Sequence, residues 1–207
     1  MSFKKNNYKI VRNALDDEFS AFLYNYLILK SNVVNYLFKD KYIEPFNQDW
    51  GGFGNDPQAN IQETYSCYSD FVMETLLLKL QQQMESITKM KLIPNYTFTR
   101  LYRKGSILDR HKDRYSCGIS ATINMGGDPW PIYIEPNVKY GNRTPDDKYI
   151  PGITNGVKVD LSPGDMLVSA ASIGEKLLLE KNVVKFFYII KSSQKKLEKI
   201  NLMEDLL

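Results

Sequence analysis

Phe19, Phe22, Leu23, Tyr26 and Leu27 recur at helical spacing just behind Asp16-Asp17. Carboxylates ahead of such a stripe suit an N-cap, so a helix is expected to start there. A second short helix is expected over about 33–38. From Tyr42 to Tyr65 the chain is rich in Gly, Asn, Gln and Pro, which predicts a long loop anchored by Phe46, Trp50 and Phe53. Ser69-Asp70 then caps a longer helix with Met73, Leu76, Leu77, Leu80, Met84 and Ile87 on one face. Both stripes read as core packing.

The period changes after Pro94. Residues 96–104 alternate and are rich in aromatic and β-branched side chains, the pattern of a strand. Residues 119–125 form a short strand that ends at the turn Gly126-Gly127-Asp128-Pro129. Residues 131–135 form another. Residues 138–155 are polar and loop-like. Residues 157–161 and 166–168 read as strands flanking the turn Ser162-Pro163-Gly164-Asp165. Helices first and short antiparallel strands later predict one α+β domain centred on a β-sandwich or jelly roll. Its expected parts are a mainly helical support over 1–92, a β core over 93–190 and an atypical tail over 191–207.

Composition narrows the class. The 207 residues are 43% hydrophobic and 25% charged, as in soluble globular domains. The net charge is only +3, with basic residues scattered among acids, which argues against a nucleic-acid surface. No apolar run approaches the roughly 18 residues of a membrane span. Met1-Ser2-Phe3-Lys4-Lys5 is not followed by an apolar stretch of signal-peptide type. Cys67 and Cys117 fit no metal spacing and read as reduced thiols. A soluble, cytoplasmic protein is expected, with no membrane or nucleic-acid partner. Oligomeric state is left open.

The chemistry-bearing motif is His111-Lys112-Asp113, which holds the only histidine of the chain. Two histidines and one carboxylate can hold ferrous iron on one face of an octahedron, leaving the other face open. On a strand, residues two apart point the same way, so His-x-Asp suits two of these three ligands. The alternative is a solvated turn within the charged run Asp109-Arg110-His111-Lys112-Asp113-Arg114.

The residues around the motif carry more. Leu101-Tyr102-Arg103-Lys104-Gly105-Ser106, then Ile107 through Arg114, then Ile119-Ser120-Ala121-Thr122-Ile123-Asn124, resemble the 2-oxoglutarate- and Fe(II)-dependent dioxygenases. The resemblance is to the prolyl-4-hydroxylase-like branch, which includes phage and marine microbial members. Gly126 through Glu135 and Ser162 through Leu167 also look like it, so the resemblance covers about residues 65–168. It implies a double-stranded β-helix core, of jelly-roll or cupin-like type, with N-terminal helices packed outside.

The resemblance further implies oxidative decarboxylation of 2-oxoglutarate coupled to C–H hydroxylation of a small molecule or a protein side chain. Ascorbate is an implied auxiliary. His111 and Asp113 would be iron ligands. Tyr102 would hydrogen-bond the 2-oxoglutarate carboxylate, with ordinary strand packing as its alternative. Thr122 and Asn124 are expected to point alternately into and out of the barrel. At most one of them then faces the pocket, and Asn124 is the co-substrate candidate. Arg110 and Arg114 are expected at the pocket mouth or in solvent, and Trp130 as a core or loop anchor.

After Val168 the resemblance stops. The family carries its second iron-binding histidine there, in a stretch resembling His-Trp-Arg-Glu, and a basic residue beyond it that pairs with the far carboxylate of 2-oxoglutarate. Here the chain reads Ser169-Ala170-Ala171-Ser172-Ile173-Gly174-Glu175-Lys176. This chain is therefore expected to be impaired, and a non-catalytic barrel or a cupin-like binding protein is the alternative. The codons AGC ATT GGA GAG AAG for Ser172 to Lys176, read from the last base of the first, give CAT TGG AGA GAA, which is His-Trp-Arg-Glu. Residues from about Ser169 onward are thus expected to come from a shifted reading frame. Nucleotide sequencing checks this: CAT should span the Ser172 and Ile173 codons, and codons that forbid it overturn the expectation.

Overall fold

The computed structural model describes residues 2–44, 50–56, 61–103, 106, 108, 118–137, 156–170, 172–173 and 183–192. A short helix α1 (Phe3–Asn6) ends at Asn7, whose left-handed φ of 58° turns the chain into strand β1 (Tyr8–Val11). The Asp16 side chain accepts from Phe19 N at 2.7 Å and starts α2 (Asp17–Lys39). α2 runs unbroken through the short second helix expected at 33–38. Ser31 lies in mid-helix between the two expected stretches, and its hydroxyl donates to the Ile28 carbonyl at 2.8 Å. The buried stripe Leu23, Leu27, Ser31 and Val34 therefore continues past it.

The loop expected over 42–65 holds two strands, β2 (Gly52–Asp56) and β3 (Ile61–Tyr68). β2 is Gly-Phe-Gly-Asn-Asp, a sequence of low strand propensity. Pairing makes it a strand, with Phe53 opposite Tyr65 at the sheet edge. Gly51 permits the approach: at φ 78°, a Cβ there would lie 2.4 Å from the Ser66 carbonyl oxygen. Asp70 caps α3 (Phe71–Thr88), accepting from Val72 N at 3.0 Å and Met73 N at 3.2 Å. The expected start of this helix stands, and Met73, Leu76, Leu77, Leu80 and Met84 are buried along it.

The remaining elements are β4 (Leu92–Tyr102), β5 (Ile119–Gly127), β6 (Ile132–Glu135), β7 (Val157–Val159), β8 (Met166–Ser169), β9 (Ser172–Ile173) and β10 (Val183–Ser192). β4 starts before the expected position and includes Pro94, where its ladder with β10 shifts register. The expected polar loop over 138–155 and the 193–207 part of the tail lie outside the described residues. All described strand pairs are antiparallel. They form a seven-stranded sheet in the order β1-β8-β5-β10-β4-β3-β2 and a three-stranded sheet in the order β7-β6-β9. The architecture is therefore α+β, and residues 1–92 contribute three strands beside their helices.

The large sheet has two unlike faces. Tyr65, Cys67, Leu101, Ile119, Ala121, Ile123, Met166 and Val168 pack with α2 and α3 in one apolar cluster. Leu167 and Tyr8 point the other way and pack with Ile132, Ile134 and Val159 of the small sheet. The helices thus cover the outer face, and the two sheets enclose an interior between them.

Asp70 also ties this outer layer together. It receives Tyr26 Oη at 2.7 Å and is ion-paired to Lys30, both from α2. Its side chain is 2% exposed and that of Lys30 is 14% exposed. Asp70→Ala leaves a partly buried ammonium unpaired and removes a helix cap. The expected cost is about 3–5 kcal/mol, a fall in Tm of roughly 10 °C for a chain of this size. Asp16→Ala removes only a surface cap and is expected to cost about 1 kcal/mol. Thermal unfolding of the two variants checks the difference.

Candidate co-substrate and metal site

β4 delivers the interior face. Its side chains alternate, so Leu101 and Thr99 face the helices while Phe98, Arg100 and Tyr102 face the small sheet. Tyr102 is 1% exposed, and its ring meets the Trp130 ring edge-on at 4.8 Å, just before β6. Trp130 is the buried anchor expected from the sequence, at 5% exposure. The Arg100 guanidinium lies 4.8 Å from the Phe98 ring centre and 5.5 Å from that of Tyr102. Beyond Tyr102, Ser106 closes a tight turn: Arg103 N donates to its hydroxyl at 3.0 Å, and Ser106 N donates to the Arg103 carbonyl at 2.9 Å. His111, Asp113, Arg110 and Arg114 lie outside the described residues.

Thr122 and Asn124 do not alternate as expected. They are two residues apart on β5 and share the interior face, opposite Leu167 of β8 and Lys185 of β10 respectively. Asn124 is held by the backbone. Its amide nitrogen donates to the Leu161 carbonyl at 2.8 Å, and its amide oxygen accepts from Gly126 N at 3.2 Å. Its main chain bonds Gly164 N and the Asp165 carbonyl, so Asn124 fastens the 161–165 turn against β5. Asp165 completes the fastening, accepting from Ser162 N at 2.8 Å and Asn13 N at 3.1 Å.

The interior wall carries polar groups that a pure packing role does not need. Thr64 Oγ1, Thr122 Oγ1 and Ser169 Oγ are buried and have no hydrogen-bond partner among the described residues. Hydroxyls in that state cost stability, and a polar ligand or an ordered water repays it. Buried hydroxyls of this kind suit a polar ligand or water. The fit to iron is worse. With one histidine, the chain cannot furnish two imidazoles. Among the described residues, no three His, Cys, Asp or Glu side chains come together. Ser172 and Ile173, where the resemblance places the second histidine, form β9 opposite Glu135 and Ile134 of the small sheet.

Cys67 is free and buried, and burial pushes its thiol up, so it is not a poised nucleophile. Arg100 is the residue that sequence reasoning passed over. Its signal was its place two before Tyr102 in an alternating strand, which puts both on one face.

No protein-family model and no curated protein matches the chain. Solved structures do. A prolyl-4-hydroxylase from Pseudomonas putida superposes with a TM-score of 0.58 at 13% identity, over 92% of this chain and 95% of that one. The non-haem alpha-ketoglutarate-dependent epimerase SnoN of nogalamycin biosynthesis gives 0.61 at 14% identity, over 91% and 80%. HygX from Streptomyces hygroscopicus, solved with nickel and 2-oxoglutarate bound, gives 0.55 at 13%, over 93% and 85%. Among the described residues, no helix is long and apolar enough to cross a membrane. Over most of its length, the fold of this chain is therefore similar to that of 2-oxoglutarate- and Fe(II)-dependent oxygenases.

Proposed function

We propose that this chain is a 2-oxoglutarate- and Fe(II)-dependent oxygenase of the prolyl-4-hydroxylase-like branch, whose iron centre its own residues leave incomplete. The observation that supports this is the position of Tyr102. It ends β4 on the interior face, nine residues before His111-Lys112-Asp113, within a fold shared with such enzymes. The two facing antiparallel sheets are then the double-stranded β-helix. His111 and Asp113 supply an imidazole and a carboxylate to the metal. Tyr102 turns a phenol toward a carboxylate of the co-substrate. Asn124 acts as a positioning residue, since both ends of its amide are spent on the 161–165 turn.

When bound, iron and 2-oxoglutarate supply the oxidant for hydroxylating a C–H bond, with succinate and CO₂ released. The protein's part is to orient and to exclude water. Tyr102, Trp130 and Leu167 are nearly inaccessible to solvent and make the dry part of the wall. The substrate is a small molecule or a protein side chain such as prolyl, with ascorbate as the auxiliary reductant.

His111 and Asp113 would hold the metal with two protein ligands, where the resemblance implies three. Metal affinity falls with the missing ligand. A second reading, a non-catalytic barrel, is favoured by the single histidine. Anaerobic Fe(II) titration separates the two. The expected dissociation constant lies well above about 1 μM, with succinate release slow or absent. His111→Ala and Asp113→Ala should each abolish the residual binding. Metal binding that both variants leave unchanged overturns the proposed centre. Binding near 1 μM with steady succinate release overturns the impairment.

A further inference from the structure

α2 has one side with no place in the core. At about 100° per residue, Phe22, Leu29, Val33 and Tyr36 fall within roughly 60° of one another around its axis. They are between 52% and 70% exposed. Leu23, Leu27, Ser31 and Val34 lie on the opposite side and are buried. Phe22 belongs to the stripe that the sequence assigns to the core, yet it stands outside, its ring stacked on that of Phe19 at 6.4 Å. That contact holds the Phe22 ring in advance, so it has little freedom left to lose when something packs on it. Four large apolar side chains exposed in a row make a patch of roughly 400 Å² or more, a size at which patches on soluble proteins are often functional.

The stripe is complementary to itself when reversed. Phe22 and Tyr36 each lie seven residues from Leu29, in opposite directions. Glu18 sits on the same side in the first turn and Lys39 in the last, and both are exposed. A two-fold axis beside Leu29 lays Phe22 against Tyr36 of a second copy and brings Glu18 to Lys39 of that copy. Asp17 adds to the acidic end and Lys41 to the basic end, where Asp40 offsets part of the charge. The reversed arrangement also sets the helix dipoles head to tail, whereas parallel pairing sets Glu18 on Glu18 and Lys39 on Lys39. Exposed Asn25 and Asn32 border the stripe, and amides in such places bond across a contact and fix its register. Lipid is a poorer match, because helices that lie on membranes carry Lys and Arg along the polar face, and α2 opens on Asp16, Asp17 and Glu18. We propose that the protein forms a two-fold dimer by antiparallel packing of α2 on α2. This goes beyond the oxygenase reading and does not rest on it, since α2 lies across the large sheet from the interior wall.

The test is sedimentation equilibrium of the full-length protein from about 1 to 300 μM. Wild type should pass from monomer to dimer with a dissociation constant on the order of 10 μM, because one helix pair buries less than the roughly 800 Å² per partner of a standard interface. Leu29→Glu sets two carboxylates against each other at the axis and should hold the chain monomeric throughout. Its Tm at about 1 μM, where wild type is also monomeric, should match wild type, because the position faces solvent. Glu18→Lys and Lys39→Glu should each weaken the dimer by about three- to tenfold. Mixed in equal amounts, these two variants should pair with each other as tightly as wild type does with itself. Each then meets an opposite charge at both ends of the stripe.

A wild type that stays monomeric up to about 300 μM overturns the proposal. Cosedimentation of that monomer with phosphatidylserine vesicles would then give the stripe to a lipid surface, and a lowered Tm in Leu29→Glu would give it to another segment of the same chain. A dimer that Leu29→Glu leaves intact also overturns it, since the contact then lies elsewhere. If Leu29→Glu does not fold, the mixture of Glu18→Lys and Lys39→Glu decides: no gain in affinity over either variant alone means that the helices do not pair in reverse, and the proposal fails.

Discussion

The antiparallel pairing of β10 between β4 and β5 is the constraint on which the rest depends. Among the described residues, β1, β8 and β5 lie on one side of β10, and β4, β3 and β2 on the other. Its ladder to β4 runs from Val183 opposite Tyr102 to Ser192 opposite Leu92, and its other edge is hydrogen-bonded to β5. Without this strand, Arg100 and Asn124 would belong to two separate half-sheets. The run Val-Val-Lys-Phe-Phe-Tyr-Ile-Ile from residue 183 is β-branched and aromatic, which is what a central strand needs. A ladder is made by backbone groups that every residue except proline possesses. It therefore tolerates a wholesale change of side chains, provided the strand period and apolarity persist. A metal centre tolerates no such change, because a ligand is one atom of one residue. Fold and metal chemistry therefore answer to different constraints on the sequence.

The two faces of the sheet divide the labour. Outward, apolar burial against α2 and α3 supplies the stabilisation, with Leu23, Met73, Leu77, Met84 and Ile123 almost wholly enclosed. Inward, Arg100, Thr64, Thr122 and Ser169 spend part of it, since each is a polar group removed from bulk water. A wall built only for stability would be apolar on both faces. Function is the economical reason to keep it polar on one.

Legibility in the sequence followed the range of the forces involved. Asp16 and Asp70 were readable as caps because a cap acts on amides two or three residues away. α3 was readable because its stripe has one period throughout. β5 and β8 were readable because turn residues follow or precede them, Asp128-Pro129 after β5 and Gly164 before β8. β2 and β3 were not, because Gly-Phe-Gly-Asn-Asp becomes a strand only through a partner. The continuity of α2 between residues 27 and 33 was missed, where Ser31 is satisfied within the helix. The shared face of Thr122 and Asn124 was available from the two-residue period alone and was misassigned. Tyr102 was visible by resemblance. Arg100 stood out only once the ring contacts showed its burial.

The position of β10 also shapes how the molecule is made. It follows both of its partners in the chain, yet it lies between them. On the ribosome, β4 and β5 emerge with facing edges unsatisfied, and no local hairpin closes the gap. Until β10 arrives, the nascent chain presents two sticky strand edges beside a polar cleft, a state prone to intermolecular pairing. Long-range closure of this kind is slow. The window for capture by a chaperone, or for loss to aggregation, is thus set by the synthesis of β10, the last of the described strands.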